Sequence, residues 1–82
     1  DVGENREFTL SHISEAKNLP LPMLTSSEDN ISRDKQVILI SRVGRRSILA
    51  SHILHNMGYE NLMVMHGGML AWQAAGYPTS IE

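Results

Sequence analysis

The stretch Gln36-Val37-Ile38-Leu39-Ile40-Ser41-Arg42-Val43-Gly44-Arg45-Arg46-Ser47 decides the fold. Its first half, Val37 to Ile40, is a continuous and mostly β-branched apolar run. Such a run predicts a strand buried on both faces, as in a parallel sheet covered by helices. Its second half is a polar, glycine-containing loop. Beyond it, from Ser47 to Met57, the residues Leu49, Ala50, Ile53, Leu54 and Met57 fall on one helical face, while Ser51, His52, His55 and Asn56 face away. Gly58 supplies a left-handed stop for that helix. Asn61 to Met65 is a second apolar run of strand length, and Gly67-Gly68 marks a turn. Met69 to Ala75 restarts a helical pattern that Gly76 and Pro78 end. An order of strand, helix, strand, helix predicts an α/β domain with an at least partly parallel sheet.

The remainder carries weaker signals. Glu4 to Phe8 is suited to a single helical turn and Ala16 to Leu19 to a short strand before Pro20. Ser26 or Ser27 is placed to cap a helix over Glu28 to Ser32, with Asp34-Lys35 turning into the central strand. A chain that opens on Asp1-Val2 reads as though it starts at the end of a strand. That predicts an upstream strand outside the numbered residues.

Composition narrows the classes. The 82 residues, 41% hydrophobic, fit one domain spanning residues 1–82. A chain of this size buries only about 60 to 65% of its unfolded surface. There is no internal repeat and no linker-like tract. Seven Lys and Arg against nine Asp and Glu give a net charge of −2, which argues against a general nucleic-acid binder. The absence of cysteine removes a disulfide framework, a thiolate zinc site and any cysteine nucleophile, and points to a cytoplasmic setting. No apolar stretch approaches the roughly 18 residues of a membrane span, so no membrane partner is expected.

Three of the seven basic residues, Arg42, Arg45 and Arg46, lie within five positions of the loop. A loop at the carboxyl end of a parallel strand, leading into a helix, points backbone N–H groups and the positive end of a helix dipole at one spot. Gly44 permits the curvature that lets those groups converge. With three guanidiniums the site reads as an anion cradle for thiosulfate, sulfate, phosphate or a carboxylate. The plainer reading has two of the arginines solvated or bound to carboxylates such as Asp1. The position after a buried strand favours the cradle.

At these residues the sequence resembles the rhodanese family, the sulfurtransferases and their inactive relatives. The resemblance runs through Asp1-Val2 with Glu7-Phe8, His12-Ile13 with Ala16, and Asn18-Leu19-Pro20. It continues through Gly44-Arg45-Arg46-Ser47, Gly58-Tyr59, Gly67-Gly68-Met69 with Trp72, and Gly76-Tyr77-Pro78. It implies a compact rhodanese-like α/β fold, a central, mainly parallel sheet flanked by helices, and a strand and helix upstream of Asp1. It also implies sulfane-sulfur transfer from thiosulfate or a protein persulfide to a thiol or cyanide, with no cofactor. The persulfide-carrying cysteine of the family matches Ser41, and the anion-binding loop matches Arg42, Val43, Gly44, Arg45 and Arg46. Six positions from Ser41 to Arg46 match the sulfurtransferase branch; phosphatase relatives have a longer loop.

A hydroxyl cannot take that cysteine's place, since it stays protonated at neutral pH and its oxygen cannot carry sulfur as a persulfide. The expectation is therefore a sulfurtransferase domain in a form inactive through Ser41. The alternative is a naturally non-catalytic module that binds an anion or a partner protein. Gly3, Ser11 and Glu15 also depart from the family pattern and favour natural divergence, whereas a lone serine in an intact loop is also what a deliberate exchange produces.

His52 and His55 lie three apart but have no carboxylate within a turn, so they read as surface histidines and not as a metal site. His12 reads as a structural loop histidine. A serine-hydrolase role for Ser41 lacks both the small-residue elbow and an assignable acid and base. Met57, Met63 and Met65 read as core packing, and Trp72 as an anchor of the last helix or a wall of the site.

Overall fold

The computed structural model describes residues 1–26 and 30–81. Strand β1, Val37–Leu39, and strand β2, Leu62–Val64, pair in parallel with Val37 opposite Leu62, Ile38 opposite Met63 and Leu39 opposite Val64. Helix α1 spans Asn5–Leu10, α2 spans Arg45–Asn56 and α3 spans Gly68–Ala74, with a 3-10 helix at Leu21–Ser26. The strand–helix–strand–helix order expected from periodicity is the order observed.

One core forms where α2 and the 3-10 helix meet the sheet: Val2, Leu24, Leu39, Ala50, Leu54 and Tyr59 are buried together. Leu24 and Leu54 are the largest fully buried apolar side chains, each worth about 1.5–3 kcal/mol of transfer free energy. Arg33 ties this core to the end of α2: its guanidinium lies 4.2 Å from the Tyr59 ring centre and donates to the Met57 carbonyl at 3.0 Å. Gly58, with φ +97°, closes the helix in the expected left-handed conformation.

Several expectations are corrected. The strand Val37 to Ile40 is not covered on both faces. Ile38 is 54% exposed and Met63 52%, because α2 packs on the side of Leu39 and, among the described residues, no helix packs over the other. Leu49 points outward at 52% exposure, and the inward face of α2 is formed by Ser47, Ala50 and Leu54. Residues 16–19 form no strand, although Leu19 N–H donates to Asp1 O and Leu21 N–H to Val2 O, so this segment runs extended beside the first two residues. Of the helix expected over Glu28 to Ser32, Glu28 and Asp29 lie outside the described residues, and Ile31 and Ser32 are not helical.

The tail folds back to the opposite end. His12 and Ser80 form an antiparallel bridge, His12 Nδ1 lies 2.8 Å from the Phe8 carbonyl, and its ring stacks on Phe8 at 4.0 Å. His12 is thus buried and structural. Trp72 donates to Pro78 O and packs on Tyr77, so it anchors the tail.

Candidate functional site

The site begins where β1 runs out. Ile40 is buried, its carbonyl accepts the Val2 N–H at 2.8 Å, and the chain then enters Ser41-Arg42-Val43-Gly44 before α2 starts at Arg45. Gly44 stands at the N-cap of α2 with φ +97° and ψ −11°, a left-handed conformation that disfavours any side chain. A glycine cap has no oxygen to offer the free N–H groups of the first turn. Ser41 supplies it from three residues upstream. Its Oγ accepts from Gly44 N–H at 3.1 Å and Ser47 N–H at 3.3 Å.

Ser47 completes the arrangement. Its hydroxyl donates to the Gly44 carbonyl at 3.0 Å and lies 3.0 Å from Ser41 Oγ. Ser47 has one proton and gives it to Gly44, so Ser41 donates and Ser47 accepts in the pair. The Ser41 hydroxyl therefore uses both its acceptor and its donor capacity within the protein. Both serines are buried, Ser47 completely.

The loop's other face is held by α3. Met69 N–H donates to Ser41 O at 2.8 Å and Leu70 N–H to Arg42 O at 3.0 Å. Both carbonyls therefore point toward α3 and away from the hydroxyl pair.

The three arginines divide. Arg46 reaches back to α1, with Nη1 2.8 Å from Glu7 Oε1 and Nη2 3.1 Å from Glu4 Oε1. The same two glutamates form a capping box on α1, Glu7 accepting the Glu4 N–H. Arg42 and Arg45 are exposed and make no ion pair among the described residues. Val43 is also exposed. A small pocket beside the loop, about 80 Å³, is lined by Arg42 together with Glu7, Phe8, Leu70 and Gln73. His52 and His55 are exposed, and among the described residues no group of three candidate ligands gathers for a metal.

The sequence marked Ser41 through Arg46 as the site, while Glu7, Ser47 and Gly68 entered only as positions of the family resemblance and Glu4 only as part of a helical turn. Ser47 had a signal: it shares a face with Ala50 and Leu54 at a spacing of three and seven, which marks a small buried polar residue. Gly68 had only its place in a turn and in the Gly67-Gly68-Met69 stretch of the resemblance.

Fold and site together define an α/β domain with a strand-to-helix loop whose backbone donors converge on one side-chain atom. The rhodanese-like domain family model matches residues 1–75. A sulfurtransferase of Allochromatium vinosum is 30% identical over 78 residues, covering 95% of this chain and 73% of that protein. An uncharacterized protein of Synechocystis sp. is 38% identical over 79 residues; the chain spans 44% of its length. Among solved structures, a rhodanese-related protein of Thermoplasma volcanium superposes with a TM-score of 0.91 at 31% identity, covering 99% of this chain and 80% of that one. A thiosulfate sulfurtransferase of Pseudomonas aeruginosa gives 0.90 at 26%, covering 99% and 16%. The chain belongs to the rhodanese-like domain family, with a parallel sheet, flanking helices and sulfurtransferases among its relatives.

Proposed function

We propose that this is a sulfurtransferase-type rhodanese domain held in a form without persulfide chemistry by Ser41. The observation that carries this reading is the position of Ser41 Oγ, which accepts two backbone N–H groups at the head of α2 beside the Ser47 hydroxyl. A thiolate at that atom would be stabilised by the same donors. In the transfer step the thiolate attacks the outer sulfur of thiosulfate. A new S–S bond forms, the old one breaks, and sulfite leaves with the electron pair. The persulfide sulfur then passes to an acceptor thiolate or to cyanide, returning the thiolate. Arg42 and Arg45, exposed and unpaired among the described residues, would attract the anionic donor or a protein carrying a persulfide or thiol.

The alternative reading is a non-catalytic module that binds an anion or partner protein. Two observations favour it: the Ser41 hydroxyl is fully satisfied, and Arg46 is already neutralised by Glu4 and Glu7. We also propose that residues 1–82 are one rhodanese-like unit whose sheet a further strand completes. The unpaired edge of β1, among the described residues, supports that. No helix among the described residues is long and apolar enough to cross a membrane.

The test is Ser41→Cys incubated with thiosulfate. The variant should gain a single increment of about 32 Da, one sulfur on the thiolate, reversible by a thiol, and the Ser41 chain should gain none. A Ser41→Cys chain that never gains the increment favours the non-catalytic module.

A further inference from the structure

The loop's shape is set from outside the loop, at the Gly67-Gly68 turn before α3. A Cβ on Gly68 would lie 2.3 Å from Ser41 O, 2.6 Å from Arg42 O and 2.7 Å from Arg42 C. No side chain fits there, and φ at Gly68 is +62°. Because the Gly68 backbone sits directly on these two peptides, the next two N–H groups reach the Ser41 and Arg42 carbonyls at 2.8 and 3.0 Å. Every peptide described is trans, so in each one the N–H points opposite to the C=O. Turning the Ser41 and Arg42 carbonyls onto α3 therefore turns the Arg42 and Val43 N–H groups away from it. Neither N–H bonds to another group among the described residues.

We propose that Gly68 is a positioning residue for sulfur transfer at this loop: by admitting the Met69 and Leu70 N–H groups to the Ser41 and Arg42 carbonyls, it orients the loop's own N–H groups toward the incoming anion. This rests on the sulfurtransferase reading of the site. Gly68 touches no reacting atom; it acts through the two peptides it supports.

The experiment uses the Ser41→Cys chain with three additional changes, each made separately. Gly68→Ala adds the clashing methyl. A backbone ester in place of the Gly68–Met69 amide deletes the Met69 donor without adding an atom beyond the chain. Gly76→Ala is the control, because Gly76 also has positive φ, +82°, but an added Cβ there meets nothing within 4 Å. The Gly68→Ala and ester changes should each slow sulfur uptake from thiosulfate by about tenfold, the effect of one lost hydrogen bond, and raise the pKa of the introduced thiol by about one unit. Gly76→Ala should leave both where they were. A change that merely loosened the fold would lower the melting temperature without moving the thiol pKa.

In the chain with Ser41 retained, Gly68→Ala should also speed amide hydrogen exchange at Gly44 and Ser47. If Ser41→Cys takes up no sulfur, the sulfurtransferase reading fails, and the thiol pKa and exchange rates still judge the clamp. If Gly68→Ala does not fold, the ester decides. Folded Gly68→Ala and ester chains with unchanged thiol pKa, uptake and exchange would overturn the proposal.

Discussion

The two strand-to-helix turns of this domain start alike and end differently. After β1 the chain reaches Gly44 at φ +97° and begins α2; after β2 it reaches Gly67 and Gly68 at +78° and +62° and begins α3. In the first turn the helix-head N–H groups of Gly44 and Ser47 converge on the chain's own Ser41 hydroxyl. In the second, the N–H groups of Met69 and Leu70 bind the carbonyls of the first turn. The same local geometry thus yields a cradle in one place and a buttress in the other. The difference lies in what each helix head finds in front of it, a side-chain oxygen or a neighbouring backbone.

The largest expected effect separates the two turns by their glycines. Gly68→Ala puts a methyl against backbone and should cost about 3 kcal/mol or more, combining overpacking with positive-φ strain. Gly44→Ala carries only the strain, because its nearest new contact is an ordinary 3.6 Å from Gly67 N, and should cost about 1–2 kcal/mol. Urea unfolding of both variants checks the order. Equal losses would show that the buttress does not press on the cradle.

A smaller effect probes the cradle alone. Ser47→Ala removes the hydroxyl that serves both Ser41 and the Gly44 carbonyl at zero exposure, and should cost about 1–2 kcal/mol. A loss under a few tenths would mean that water replaces it.

A pH effect lies outside both turns and serves as a reference. In an 82-residue chain whose first residue is Asp1, burial lowers the α-ammonium from 8.0 to about 6. Between those values the unfolded chain binds more protons than the folded one, so stability rises as pH goes from 6 to 8. N-terminal acetylation should flatten that slope. A slope that survives acetylation would have to come from another group.

Much of this was legible in the sequence where one physical signal dominated. The apolar runs around Ile38 and Met63 marked both strands, and Gly58 marked the end of α2 by its conformational freedom alone. The loop from Ser41 to Arg46 stood out by charge. Periodicity failed at Leu49, since hydrophobicity ranks leucine as the residue to bury. Leu49 lies about 200° around the helix from Ser47, so the rotation that buries Ser47, Ala50 and Leu54 leaves it outside. Charge failed to divide the arginines, because the partners of Arg46 are 39 and 42 residues away in sequence, on a helix whose packing is set by tertiary structure. Ala16 to Leu19 has strand-like composition, yet within it only the Leu19 N–H reaches the neighbouring segment, at Asp1 O, while the Ala16 N–H turns back to Ile13 O, so no ladder forms.

Backbone donors converge at the Ser41 side chain, and one titration tests that directly. Ser41 is 3% exposed. Burial by itself would push a thiol at this position above the ordinary value near 8.5, whereas convergent N–H groups and a helix head would pull it below. Measured by thiolate absorbance against pH, the Ser41→Cys thiol should titrate well below that value, by about one unit or more. A thiol that titrates at or above the ordinary value would contradict the account, because the donors around Ser41 would then be too weak to offset its burial.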